Sequence, residues 1–385
     1  MSILFLSVLI VLLFVWFYQR TQKPKEFPPG PPRWPIVGSL PYISGKHHNL
    51  LLGLRSQVQK FGSVLGYYIG TTPIVLVTDY DILKEICKLD SLSYRPSISP
   101  LHYFREGWET MQDSGDKNHG RAPGIVFSNG AYWREQRKFL SKNLKDFGFG
   151  KSSLETLMDE EVLKLCKHLN QESKNGTVQV SLMQPLKLVI ISVLWTILFG
   201  EQQDLNDPKL VKLVNLIDDG LRVVSPQTFL GLILPDPAMT NWPMLNKWTG
   251  INLVESYRRG TNTFLREHIK EHQQTMNENN IRGFVDRQLL EIQQTTDPNS
   301  SFFGKTGYYA MFNNVADIFL AGQDTTSSSI LWTFLYLLHH PEVQTKIHKE
   351  LDEVRINTFI SRFNNINPLV EIDNFNKFTW LLVKL

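Results

Sequence analysis

"IFLAGQDTTSSSIL", Ile318–Leu331, sets one acid, two threonines and three serines into otherwise apolar sequence. Polar groups inside a core are costly unless they are satisfied or used. Upstream, Phe312, Val315, Ala316, Phe319 and Leu320 follow the three–four spacing of a helix face; Ile330, Phe334, Leu337 and Leu338 resume it downstream. The periodicity predicts one helix over Tyr308–His339, about 48 Å long at helical rise. Asp317, Ala321, Asp324, Thr325 and Ser328 share one stripe of that helix. There Ala321 and Gly322 would let another flat body come close to the backbone. Two bland readings compete: Asp324 or Thr325 as the N-cap of a fresh helix, or hydroxyls that bond back to the preceding turn.

The 385 residues, 42% hydrophobic and 11% aromatic, suffice for a large core. Forty basic against 37 acidic residues leave a net charge of +3, too balanced for a nucleic-acid binder. Two cysteines, Cys87 and Cys166, exclude a disulfide framework and a cysteine-rich metal site. Near the N-terminus, Ile3–Tyr18 is a run broken only by Ser7, spanning about 24 Å as a helix. Trp16 and Tyr18 stand where interfacial aromatics belong, and Arg20, Lys23 and Lys25 follow, which predicts a body on the cytosolic side. A cleaved signal peptide is the competing reading. It lacks support from a basic start or a small-residue cleavage site before "VWFYQR".

Next, Pro28, Pro29, Pro31, Pro32 and Pro35 forbid a helix and favour a stiff extended strap. Ser63–Thr78 reads as a hairpin turning at Gly70–Pro73. Helical patterning then dominates: Tyr80–Leu89, Gly130–Asn143, Leu154–Asn170, Pro185–Leu198, Lys209–Val224, Asn252–Asn277, Val285–Gln294 and Pro341–Val354. The fold class is mainly α with a small β-sheet, behind an N-terminal membrane anchor helix.

Several blocks, in order, resemble the cytochrome P-450 family of haem-thiolate monooxygenases, in its microsomal drug- and steroid-oxidising branch. They are "PPGPPRWPIVGSL" (Pro28–Leu40), "IVFSNGAYWREQRKF" (Ile125–Phe139), "VADIFLAGQDTTSSSILW" (Val315–Trp332) and "HHPEVQTKIHKELDEV" (His339–Val354). The resemblance implies that Asp324 and Thr325 relay protons to reduced dioxygen, a task suited to a hydroxyl that both donates and accepts. It implies that Trp133 and Arg137, one turn apart, hold a haem propionate, with Arg95 as a further propionate partner and Ala321 against the haem. Ile125, Val126 and Phe127, with Phe319 and Ala321, would line an apolar pocket for a lipophilic small molecule. Haem b is the implied cofactor. NADPH would act through a cytochrome P-450 reductase, with cytochrome b5 as a candidate second partner. The location implied is the endoplasmic reticulum membrane.

The family's Phe-x-x-Gly-x-Arg-x-Cys-x-Gly segment is absent, as is the Glu-x-x-Arg helix expected after Val354. No metal ligand is therefore assigned, and Cys87 and Cys166 read as ordinary packed cysteines. The expected organisation is a transmembrane anchor over 1–20, a basic and proline-rich hinge over 21–45, and an incomplete catalytic domain over 46–385. Two readings follow: the N-terminal portion of a monooxygenase, or a non-catalytic relic or decoy that binds lipophiles or the reductase.

Overall fold

The computed structural model describes residues 15–19, 21–35, 37–44, 50–95, 105–106, 123–148, 152–172, 181–223 and 251–362. Most of the expected anchor, residues 1–14 and 20, lies outside the described residues. Among the described residues no helix is long and apolar enough to cross a membrane. The chain divides into two compact units.

The first unit takes Met1–Pro123, Phe127–Ala131 and Asp219–Arg259. It carries α1 (Leu40–Ile43), α2 (Leu50–Phe61), β1 (Val64–Ile69), β2 (Thr72–Val77) and α3 (Tyr80–Ile86). β1 and β2 pair antiparallel from Val64↔Val77 to Ile69↔Thr72. Only Gly70 and Thr71 lie between the strands, and Gly70 takes φ 61°, the left-handed backbone that so short a turn demands. Pro73 thus belongs to β2 rather than to the turn, as an edge strand tolerates. Leu54 and Val58 of α2 pack against buried Ile43, Leu65 and Tyr67, an arrangement that the sequence reading missed with α2 itself.

The proline segment does more than extend. It docks along β1: Gly66 N donates to Pro29 O (2.9 Å), Ser39 N to Tyr68 O (2.6 Å) and Gly70 N to Val37 O (3.3 Å). Phe27 meets the Tyr68 ring at 5.0 Å, and the Arg33 guanidinium lies 4.1 Å from it. A Cβ on Gly30 would run into the Gly66 carbonyl, so the close approach requires glycine there.

The second unit takes Gly124–Val126, Tyr132–Asp218 and Gly260–Leu385. It holds most of α4 (Gly130–Asp146), α7 (Pro208–Val223) and α8 (Ile251–Thr275), and all of α5 (Ser152–Glu172), α6 (Met183–Phe199), α9 (Phe284–Gln294), α10 (Gly304–His339) and α11 (Pro341–Arg362). Its centre is α6 against the upstream half of α10. Trp195 and Phe199 lie 6.0 and 6.3 Å from Phe319, and Ile191, Leu198, Phe312 and Val315 are buried around them. A second cluster joins Leu165 and Leu169 of α5 to Leu186 and Val189 of α6, with Ile330, Leu331 and Phe334 of α10 packed on it.

A charged cluster centred on Asp286 lies inside this unit. The fully buried Asp286 carboxylate accepts from Arg282 Nε (2.6 Å), Nη2 (2.9 Å) and N (3.2 Å). His272 Nδ1 lies 2.8 Å from its other side, and Glu201 is 3.8 Å from His272 Nε2. Burial alone would raise the Asp286 pKa, but the bonds from His272 and Arg282 outweigh it and hold the carboxyl at about 2.

Candidate functional site: the polar centre of the long helix

α10 runs unbroken for 36 residues, about 54 Å, through the polar stretch. That rules out a new helix starting at Asp324. The hydroxyls bond back instead. Thr325 Oγ1 donates to Ala321 O (2.6 Å), Ser329 Oγ to Thr325 O (2.8 Å) and Thr333 Oγ1 to Ser329 O (2.9 Å). Gln323 and Ser327 are fully buried on the opposite face, whereas Ala321, Thr325 and Ser329 are exposed. The exposed stripe is therefore built of small residues and of hydroxyls bonded back to the preceding turn.

Asp324 flanks that stripe. Its Oδ1 lies 3.7 Å from the buried Lys187 Nζ of α6, which also sits 2.6 Å from Asp218 Oδ1 of α7. Gln323 Nε2 donates to the same Asp218 oxygen at 3.0 Å. One ammonium thus faces two carboxylates from two helices, and Asp324 is held at a fixed side of α10. Sequence reasoning missed Lys187 and Asp218, since a lone lysine in "QPLKLVII" carries no local sign of a buried partner.

Asp317, one stripe-mate of Ala321, plays a part the sequence did not show. Its Oδ2 accepts Ile125 N (3.1 Å) and Val126 N (3.0 Å), fixing that loop against α10 by charge-assisted bonds. Phe319 departs from the expected pocket lining. Its side chain is 1% exposed and closed in by Trp195 and Phe199, so it is a core residue. The neighbouring Leu320 points about 100° round the helix and is only partly buried. It is the better lining candidate, and the one-residue slip is invisible to apolar periodicity.

On α4, Trp133 and Arg137 do meet: the guanidinium lies 5.0 Å from the indole centroid, and Arg137 is exposed. Arg95 belongs to the first unit, where Asn129 grips its backbone from both sides, Arg95 N to Oδ1 (2.6 Å) and Nδ2 to Arg95 O (2.9 Å). Phe127, also in that unit, lies beneath the Arg105 guanidinium at 4.6 Å.

The residues present fit a porphyrin at its edge and one face. Two aromatic and guanidinium donors sit one turn apart on α4, and α10 offers a flat, small-residue stripe with a hydroxyl. They do not fit its iron. Cys166 is buried and burial pushes its thiol up to about 11, while Cys87 is exposed at the end of α3. Among the described residues no group of three or more histidine, cysteine, aspartate and glutamate side chains could hold a metal ion.

The family model described as Cytochrome P450 matches residues 28–364. The chain belongs to the cytochrome P-450 family. Cytochrome P450 2L1 of Panulirus argus is 29% identical over 339 residues, 87% of this chain and 64% of the relative. Cytochrome P450 2J5 of Mus musculus is 29% identical over 357 residues, 90% and 64%. Cytochrome P450 2B4 of Oryctolagus cuniculus is 27% identical over 355 residues, 91% and 66%. The chain thus spans somewhat less than two thirds of the length of these P-450 relatives.

Proposed function

We propose that the chain forms the larger part of a microsomal monooxygenase. It would insert one oxygen atom of O2 into a lipophilic small molecule, with electrons from NADPH arriving through a reductase. The observation that carries this is the exposed stripe of α10, where Thr325 and Asp324 stand side by side on an unbroken helix. Haem b, when bound, supplies the reductive activation of dioxygen. Trp133 Nε1 and the Arg137 guanidinium would hold its propionates. Because Thr325 Oγ1 donates to Ala321 O, its lone pairs stay open to accept a proton; rotation of the same hydroxyl donates one outward. Asp324 would take a proton from solvent hydronium, leaving water, and pass it to Thr325 Oγ1 as that hydroxyl releases its own proton outward, with Lys187 balancing the carboxylate charge between transfers.

Ile125, Val126 and Leu320 would present an apolar surface that selects the substrate, and Asp317 keeps the loop in place. The basic flank after Ile3–Tyr18 supports an anchor in the endoplasmic reticulum membrane with the body on the cytosolic face. The iron ligand would come from the part of the relatives' length that this chain does not span. A second reading rests on the unsuitability of Cys87 and Cys166: at its present length the chain would bind lipophiles or the reductase without catalysis.

The test is Thr325→Ala in the protein continued to the length of its relatives. Haem and substrate binding should persist and NADPH consumption continue, while hydrogen peroxide rises and product falls. Unchanged peroxide per product, with only a lowered melting temperature, refutes the relay.

A further inference from the structure

Gln136 lies on α4 between Trp133 and Arg137, about 60° round the helix from Trp133 and about 100° from Arg137, and is fully buried. Every hydrogen-bonding capacity of its amide is used. Nε2 donates to Ser301 Oγ (2.8 Å) and Ser301 O (3.2 Å); Oε1 accepts from Asn314 Nδ2 of α10 (2.9 Å) and Gln288 Nε2 of α9 (3.1 Å). The adjacent Glu135 adds two bonds to the segment entering α10, accepting Ser300 Oγ (2.7 Å) and Ser301 N (2.8 Å).

This hub comes with a penalty. Gln288 Oε1 and Asn314 Oδ1 are buried with no hydrogen-bond partner, so an apolar trio at these three positions would pack with fewer unmet demands. In some proteins a buried polar network that is not the most stable solution selects one register among several. Here the choice matters. Asn314 and Thr325 are eleven residues apart on one helix, about 16 Å, and Trp133 and Arg137 flank Gln136 on another. Slipping α4 by one residue against α10 would shift the pair by about 1.5 Å and turn it by about 100°.

We infer that Gln136 is a positioning residue that sets the axial register between the Trp133–Arg137 pair and the polar centre of α10, and so the tightness with which haem is held. The inference rests on the haem-edge role proposed for that pair.

The experiment measures the rate of haem transfer from the full-length holoprotein to an apomyoglobin acceptor, together with the melting temperature of each variant. Gln136→Met, nearly isosteric and without hydrogen bonds, should lose haem about tenfold faster, the low end for removing a support behind a ligand-holding group. The triple variant Gln136→Met/Gln288→Leu/Asn314→Leu removes the stranded amides. It should recover wild-type melting while still losing haem fast, because packing returns and the register does not. Gln136→Glu keeps an acceptor for Gln288 and Asn314 and should lie nearer the wild-type rate. Wild-type haem loss in Gln136→Met, or restoration of both properties in the triple variant, overturns the inference and leaves the pair's role standing. Wild-type haem loss in Arg137→Ala overturns the pair's role, and the inference with it.

Discussion

Asp286 offers the sharpest energetic test of the second unit. Its carboxylate is buried and serves Arg282 and His272 together, so Asp286→Ala leaves both without their partner. Breaking a buried pair from one side costs about 3–5 kcal/mol. The pH dependence follows from the depressed carboxyl. A fall from 3.8 to about 2 is a little under two units, worth about 2.4 kcal/mol at 1.36 kcal/mol per unit. A depressed carboxyl contributes stability that is complete above its unfolded pKa and disappears as pH falls through the folded one. The gap between wild type and Asp286→Ala should therefore be flat from pH 7 to 5. By pH 3 it should narrow by about 1 kcal/mol. Urea unfolding followed by far-ultraviolet circular dichroism at pH 7, 5 and 3, with a common m-value, measures it. A cost below about 1 kcal/mol at pH 7, or a gap that widens on acidification, refutes the ion-pair account.

Asp317→Ala removes two charge-assisted bonds and should cost about 2–4 kcal/mol, less than the full sum because Val126 N can rehydrate. Amide exchange at Ile125 and Val126 should accelerate, and unchanged exchange would show that the loop is held otherwise. Gly30→Ala drives a methyl into the Gly66 carbonyl and should cost about 1–3 kcal/mol, with faster proteolysis between Lys23 and Arg33. In the folded chain at pH 8, an aromatic disulfide reagent should label exposed Cys87 promptly and Cys166 only on unfolding; equal rates would contradict the burial of Cys166.

What could be read beforehand was whatever leaves a local imprint. α10 is visible because its apolar face repeats on both sides of Asp324, and the hairpin because β-rich runs meet at Gly70. α2 escaped notice, since Leu50–Phe61 buries few residues and half of its leucines face outward. The proline strap is legible as extended, yet its docking on β1 depends on two glycines, Gly30 and Gly66, that are far apart in sequence. The same holds at the site. Asp324 and Thr325 stand out by composition, whereas Lys187, Asp317 and Gln136 acquire meaning only from partners 31 to 192 residues away. Phe319 shows the opposite failure: its periodicity is right, but periodicity does not tell core from cavity.

The strap has a consequence for the order of events during synthesis. Gly30 leaves the ribosome 36 residues ahead of Gly66, the residue whose carbonyl it must approach. At 5–20 residues per second that is a wait of roughly 2–7 s, during which Pro29 O lacks the Gly66 N–H that it accepts from. The hairpin, by contrast, closes across two residues in microseconds once Val77 emerges. The strap, made first, is thus fastened only once β1 has followed it out.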